Sequence, residues 1–470
     1  LACMFMDSGG FASAYHGGIR RGGAFELKQA TWAYRHALLS PATRADPARG
    51  AALRERDIED WFRDMPWRPG RSPLAAAPEY EAYLFEQWRE GRFTDYWKQL
   101  GLYAEGHYDT FADVPTAIIG SWYDPYVLTC ISNYVGLSAR KSSPISLVMG
   151  PWTHGDRSVT FAGDVDFGPQ ATLDGNVARD YRELRLQWFD RWLKSSAERQ
   201  VLPPVTWFRM GGGSGARNAA GRLLHGGEWK HATAWPPPGA VEKLYYLQSG
   251  GQLKELAESA NSILEYRYDP KDPVPTVGGA LTSGKPVMCG GAFDQRTTDD
   301  VFRYRNDRPH APLGDRQDVL VFQTEPLGDA IVVTGDISID LYVSSDCPDT
   351  DFTAKLIDVY PPSDDYPQGF AMNVADGIFR MRYRDGWDAE SMMRPGEIYR
   401  VTIRPFATSN LFAAGHRLRI DISSSNYPQF DLNPNTGAAE GHDGPFRVAT
   451  NRVHVGGAHP SCVRLPLYKV

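Results

Sequence analysis

The sequence predicts an α/β domain interrupted by a helical segment and followed by an all-β jelly roll, on three observations. Two short apolar runs, Thr116-Ala-Ile-Ile119 and Ile145-Ser-Leu-Val-Met149, each end in a glycine and read as buried strands entering loops. Between residues 36 and 112 apolar residues recur at three- and four-residue spacing, the period of helices. Beyond residue 200 that period gives way to alternation, the period of half-buried strands. At 470 residues the chain is too long for one ordinary core, so two or three domains are expected.

Taken in order, residues 1–35 hold a short apolar strand and then a glycine-rich loop with Gly17-Gly18 and Gly22-Gly23. Such pairs free the backbone near a site or a turn. Residues 36–112 are helical, most clearly Asp57-Ile-Glu-Asp-Trp61-Phe62 and Glu79-Tyr-Glu-Ala-Tyr83-Leu84-Phe85-Glu-Gln-Trp88. Their aromatic density fits packing against a neighbouring domain, or a cap whose underside forms a pocket. Residues 113–200 return to an α/β pattern, and Tyr181, Leu184, Trp188 and Trp192 share one helix face. Residues 201–470 alternate, as in Ile337-Ser-Ile339-Asp-Leu341-Tyr-Val343, Tyr399-Arg-Val401-Thr-Ile403 and Leu418-Arg-Ile420-Asp-Ile422. Many such strands among Gly, Pro and Asp turns indicate a jelly roll or sandwich. Trp235-Pro-Pro-Pro-Gly239 is a stiff connector near its start.

Composition narrows the function classes. Hydrophobic residues make up 42% and charged residues 23%, the balance of a globular protein. Fifty Lys and Arg against 57 Asp and Glu give a net charge of −7, with no basic run, which argues against nucleic acid as a partner. No run of about 18 apolar residues predicts a membrane span. Cys3, Cys130, Cys289, Cys347 and Cys462 form no C-x-x-C pair, and there is no H-E-x-x-H, so neither a metal nor another cofactor is expected. The odd cysteine count leans toward free thiols and a reducing, cytoplasmic compartment. The chain starts without Met, so a signal peptide is unobservable and the compartment stays undecided. The expected partner is a small molecule; homo-oligomerisation is left open.

In open α/β sheets, functional side chains sit just past the carboxyl ends of strands. Two such places stand out, Ile119-Gly120-Ser121-Trp122-Tyr123-Asp124 and Met149-Gly150-Pro151-Trp152-Thr153-His154-Gly155. An Asp after one strand and a His after a later one is the order of the last two members of a Ser-Asp-His triad. The His must take the nucleophile's proton, and the Asp must fix its tautomer and stabilise the imidazolium. Each residue also has a plainer reading: Asp124 before Pro125 suits a helix N-cap, and His154 could be an ordinary loop histidine.

The pair Gly-x-Trp-Tyr-Asp and Gly-Pro-Trp-x-His-Gly is similar to the CocE/NonD family, which includes cocaine esterase, α-amino-acid ester hydrolases and X-Pro dipeptidyl-peptidases. The resemblance covers nearly the whole chain. Gly22-Gly23-Ala24, Asp95-Tyr-Trp97-Lys98, Asp166-Phe-Gly168 and Trp188-Phe-Asp190-Arg-Trp-Leu193-Lys194 resemble its hydrolase and cap segments. Asp351-Phe352, Lys355-Leu-Ile-Asp358, Asp376-Gly-Ile-Phe-Arg380, Gly415-His-Arg-Leu-Arg419 and Ser423-Ser-Ser-Asn-Tyr-Pro428 resemble its C-terminal domain. The resemblance implies an α/β-hydrolase domain with a helical cap insertion and a C-terminal jelly roll, and assigns the catalytic pair to Asp124 and His154. Trp122, Tyr123, Tyr126 and Trp152 flank that pair, either as pocket walls or as packing beneath the cap.

One part of the family pattern does not appear. Its nucleophile is a Ser in a Gly-x-Ser-x-Gly elbow, and no such motif occurs in these 470 residues. The resemblance aligns residues 1–6 with the strand that follows the elbow's helix, so the Ser is expected upstream of Leu1, together with the oxyanion-hole donors. Asp7-Ser8-Gly9-Gly10 only faintly resembles an elbow and lacks its first Gly, so Ser8 is read as a turn residue. The expected activity is hydrolysis of an ester, an amide or a short peptide through an acyl-enzyme, with this chain alone inactive. The alternatives are an X-Pro dipeptidyl-peptidase proper and a non-catalytic carbohydrate-binding protein that kept the fold.

Overall fold

The computed structural model describes residues 1–194, 202–299, 301–302, 304, 311–441 and 444–469. The sequence boundary between residues 200 and 201 lies outside them. Three strands form a parallel sheet: β1 (Met4–Asp7), β2 (Thr116–Ser121) and β3 (Ile145–Gly150), in that order. Every residue of β2 and β3 is buried, which is why both read as unbroken apolar runs. A fourth strand, β4 (Val205–Met210), pairs in parallel with β3. The sequence assigns residues 201–470 to the jelly roll; β4, at the start of that segment, pairs antiparallel along its whole length with Gly227–Ala232 as well as with β3 at three positions. It joins the two domains through a parallel bridge from Met210 to Asn410.

The helical insertion begins earlier than the expected residue 36. Helix α1 spans Lys28–Leu39 and buries Ala30, Ala33 and Ala37, side chains too small to mark a helical period strongly. Helix α2 (Pro78–Arg89) turns Leu84, Phe85 and Trp88 inward. Asp57 caps the short helix Ile58–Phe62 by accepting from the Glu59 amide. The insertion's core holds Phe62, Trp67, Trp88 and Trp97 and takes in Tyr427 and Leu432 of the β domain. These cap aromatics therefore serve largely as an interdomain core. After the insertion, α3 (Val127–Ser138) follows β2, and α4 (Tyr181–Leu193) buries Leu184 and Trp188.

The β domain has two antiparallel layers. One is ordered Leu320–Gln323, Arg417–Ser423, Asp351–Tyr360, Phe370–Arg380. The other includes Ile331–Gly335, Cys462–Tyr468, Ser338–Ser345 and Ala449–Val455. Phe352, Leu356, Ile420 and Ile422 of the first layer and Ile339, Leu341 and Val463 of the second share one apolar core. The alternating stretches near residues 339, 401 and 420 all form strands.

The glycine-rich loop docks on this domain. Gly22 has φ +54°, and a Cβ there would lie 1.8 Å from the Ile378 carbonyl oxygen, so only glycine fits. Its carbonyl accepts from the Arg380 amide at 2.8 Å. Arg380 is the hub of a buried ion cluster. Its guanidinium reaches both Asp351 oxygens at 2.9 Å and Asp431 at 2.8 and 3.1 Å. Asp431 in turn accepts from the Trp88 indole at 2.8 Å and the Phe25 amide at 3.0 Å. One charge cluster thus ties the glycine loop and the cap to the β domain. No cysteine forms a disulfide, and no helix among the described residues is long and apolar enough to cross a membrane.

Candidate active site

The two motif loops leave adjacent parallel strands at the same level, and backbone hydrogen bonds lace them together. The Trp122 amide donates to the Gly150 carbonyl at 2.8 Å and the Tyr123 amide to the Trp152 carbonyl at 3.2 Å. This lacing brings together two side chains thirty residues apart: His154 Nδ1 lies 2.8 Å from Asp124 Oδ2. The other Asp124 oxygen accepts from the Tyr126 amide at 3.0 Å. Each Asp124 oxygen thus has a partner, but Asp124 does not cap the helix as its place before Pro125 suggested: the N-cap of Val127–Ser138 is Tyr126, with no side-chain hydrogen bond at the cap.

Exposure divides the pair. The Asp124 side chain is 1% exposed and the His154 side chain 40%. A buried carboxylate accepting from Nδ1–H fixes the tautomer and leaves Nε2 as the basic nitrogen. Nε2 has no hydrogen-bond partner among the described residues. The hydrogen bond that His154 donates to Asp124 raises the His154 pKa above the ordinary imidazole value, against burial and the Lys28 charge, which both lower it. The arrangement can accept a proton at Nε2 and stabilise the resulting imidazolium.

Of the four flanking aromatics, the structure sets only Tyr126 beside His154, with ring centroids 5.6 Å apart. Trp122, Tyr123 and Trp152 are each 3% exposed or less. Their polar atoms are spent on backbone carbonyls: Trp122 on Phe208 and Trp152 on Ala171 at 2.8 Å, Tyr123 on Asn373 at 3.0 Å. Trp122 also packs against Trp235 of the proline connector, with centroids 5.7 Å apart. Packing beneath the loops accounts for these three, since a satisfied buried donor has nothing left to offer a ligand.

Ser8 lies just past β1 with φ +45° and is buried. Its hydroxyl accepts from Arg157 at 3.1 Å, not from or to His154. Arg157 was not legible from sequence as a site residue; its only signal is that it follows His154 by three positions. Its guanidinium is buried, pairs with Asp7 and lies 5.0 Å over the Tyr181 ring. The Tyr181 hydroxyl also bonds Asp7. The Arg157 carbonyl accepts from the Leu173 amide at 2.8 Å. The loop carrying His154 is thus bolted to the end of β1 and to the start of α4.

Comparisons with known proteins bear on this geometry. Residues 1–156 match the family model of the X-Pro dipeptidyl-peptidases (S15 family). Residues 199–464 match that of the X-Pro dipeptidyl-peptidase C-terminal non-catalytic domain. Over 367 residues the chain is 35% identical to the cocaine esterase of Rhodococcus sp. (strain MB1 Bresler), covering 76% of this chain and 56% of that protein. The chain therefore spans about half the length of the curated relatives it matches. Two solved structures share its fold: an α-amino acid ester hydrolase and an aminopeptidase from a marine sediment Thaumarchaeota archaeon. The first superposes with TM-score 0.73 at 23% identity, over all of this chain and 73% of that one. The second has TM-score 0.73 at 21% identity, over 99% of this chain and 72% of that one.

Proposed function

The chain belongs to the CocE/NonD and X-Pro dipeptidyl-peptidase (S15) family of hydrolases, and from that premise we propose that His154 is the general base of a serine hydrolase and Asp124 the carboxylate that orients it. The nucleophile of this hydrolase is a Ser upstream of Leu1. The observation that carries this reading is the 2.8 Å Asp124–His154 pair with its second ring nitrogen unengaged. His154 Nε2 takes the serine proton as the hydroxyl attacks an ester or amide carbonyl, then returns it to the leaving group. Water then hydrolyses the acyl-enzyme by the same proton path. Asp124 holds Nδ1–H and balances the imidazolium charge.

Three further observations support a nucleophile carried outside these residues. Parallel strands are ordinarily buried on both faces, yet all four β1 residues are half-buried where β2 and β3 are sealed. The edge of β1 away from β2 is unpaired among the described residues, which leaves room for an elbow strand. Ser8, the one candidate within the chain, is engaged by Arg157. The substrate class is a small acyl ester, an amide or an N-terminal dipeptide, with Tyr126 as one wall of the pocket.

The pH profile tests the base. His154 must be neutral to take the proton, so kcat/KM for an activated ester rises with pH as His154 deprotonates. Because Asp124 raises that pKa, the midpoint lies above the ordinary imidazole value of 6.5. A rate that stays flat from pH 5 to 9 contradicts His154 as the base.

A further inference from the structure

The segment 152–157 carries His154 between two anchors. At one end the Trp152 carbonyl accepts from the Tyr123 amide at 3.2 Å. At the other the Arg157 carbonyl accepts from the Leu173 amide at 2.8 Å, and the Arg157 side chain reaches the end of β1. Three residues of extended chain span at most about 11 Å, so Arg157 limits where the His154 ring can stand. Gly155, next to His154, has φ +85° and nothing within 4 Å of a Cβ placed on it, so the segment has no packing of its own at that point.

The sheet order gives the second anchor its importance. The His154 loop leaves β3, while the proposed serine lies beyond the unpaired edge of β1. With strands about 4.8 Å apart, β1 is about 10 Å from β3, and the ring must be carried across β2 towards it. Among the described residues, the side-chain bonds from this loop to the end of β1 all come from Arg157.

The surroundings of the Arg157 guanidinium are ordered on every count. Its side chain is 6% exposed, pairs with Asp7 and donates to the Ser8 hydroxyl at 3.1 Å. The guanidinium lies 5.0 Å from the Tyr181 ring centroid, and the Tyr181 hydroxyl also bonds Asp7. Ser8 has φ +45°, a conformation that a serine keeps only where its neighbours impose it. Its amide donates to the Ile119 carbonyl at 2.9 Å, and Ile119 belongs to β2, the strand that delivers Asp124. The tie from the His154 loop thus ends on the element that positions its partner. A buried ion pair adds little net stability over a well-packed apolar side chain, so what this guanidinium contributes is a fixed direction. Asp7 is 29% exposed and can hydrate if the pair is lost, unlike the carboxylates around Arg380.

We propose that Arg157 is the positioning residue of His154, holding its loop over the end of β1 through Asp7 and Ser8 so that the ring faces the serine. This rests on the assignment of His154 as the base. The test takes the chain extended upstream through the elbow strand and helix, with Arg157→Met and Arg157→Lys, on an activated ester. Arg157→Met lowers kcat by about thirty- to a hundredfold and leaves KM within a few-fold, the signature of a displaced base rather than a lost substrate contact. Arg157→Lys, which keeps a charge for Asp7 but not the planar group, falls between the two. In parallel, the imidazole signals of His154 and His416 are titrated by NMR in the 470-residue chain. Arg157→Met lowers the His154 midpoint, because the raised value depends on its hydrogen bond to Asp124. His416, paired with Asp358 at 2.7 Å in the β domain, keeps its own midpoint. Two results overturn the proposal: a kcat for Arg157→Met within about threefold of the unaltered enzyme, or a His416 midpoint that moves as far as that of His154, which would mean that the fold at large has loosened. Should Arg157→Met fail to fold, Arg157→Lys carries the same comparison. If the unaltered extended chain turns over no ester, the hydrolase reading fails, and the His154 midpoint alone decides the role of Arg157: a fall supports it and an unchanged value overturns it.

Discussion

Replacing Asp124 with Asn, in a form of the protein that carries the upstream elbow, lowers kcat on an activated ester by about ten-thousandfold and leaves KM within a few-fold. The reason lies in the 2.8 Å contact to His154 Nδ1. A carboxylate there only accepts, so the ring proton stays on Nδ1 and Nε2 stays basic. An amide can present its NH2 instead, which moves the proton to Nε2 and removes the acceptor the serine needs. The buried amide also leaves the imidazolium without a counter-charge in surroundings where Asp124 is 1% exposed. The helix entry survives, because the side-chain oxygen can still accept from the Tyr126 amide. Steady-state kinetics give the answer, and a loss below tenfold removes Asp124 from the mechanism.

The largest stability effect is expected far from that pair. Arg380→Met costs about 3–5 kcal/mol of folding stability, because it strands carboxylates that are fully buried. Asp351 and Asp431 lose their shared guanidinium, and Glu440, 3.3 Å from Arg380, loses one of its partners. The Arg380 pKa stands well above the ordinary value once the two Asp charges outweigh its burial. Since Asp431 also anchors Trp88 and the Phe25 amide, the cap loosens with the β domain. The urea midpoint measures this. A change under about 1 kcal/mol would mean that the cluster contributes little net stability.

The readable parts of the fold are those whose signal is local. Strand alternation, the apolar runs of β2 and β3, and the Trp188 face of α4 all depend on periods within a dozen residues. The Asp124 and His154 motifs are legible for the same reason, each being a short strand-to-loop sequence. What the sequence could not show depends on distant partners. Trp122, Tyr123 and Trp152 sit beside the pair in sequence, yet their donors find Phe208, Asn373 and Ala171, which seal them into the core. Arg157 gains its place only when β1 delivers Asp7 and Ser8 to it. Arg380, Asp351 and Asp431 lie up to 80 positions apart and become one cluster only when the strands pair. Strand β4 is buried at five of its six positions and pairs in parallel with β3 and antiparallel with Gly227–Ala232, a placement made by its neighbours rather than by its own residues.

The account rests on a base and its orienting acid waiting for a serine that the chain itself does not contain. Fluorophosphonate labelling, read by intact mass, tests that most directly. The 470-residue chain is compared with a chain extended upstream through the elbow strand and helix, and with the extended Ser8→Ala variant. The account predicts no adduct on the first and a single adduct on each extended form. An adduct on the 470-residue chain, or its loss with Ser8→Ala, would place the nucleophile within these residues and contradict the assignment.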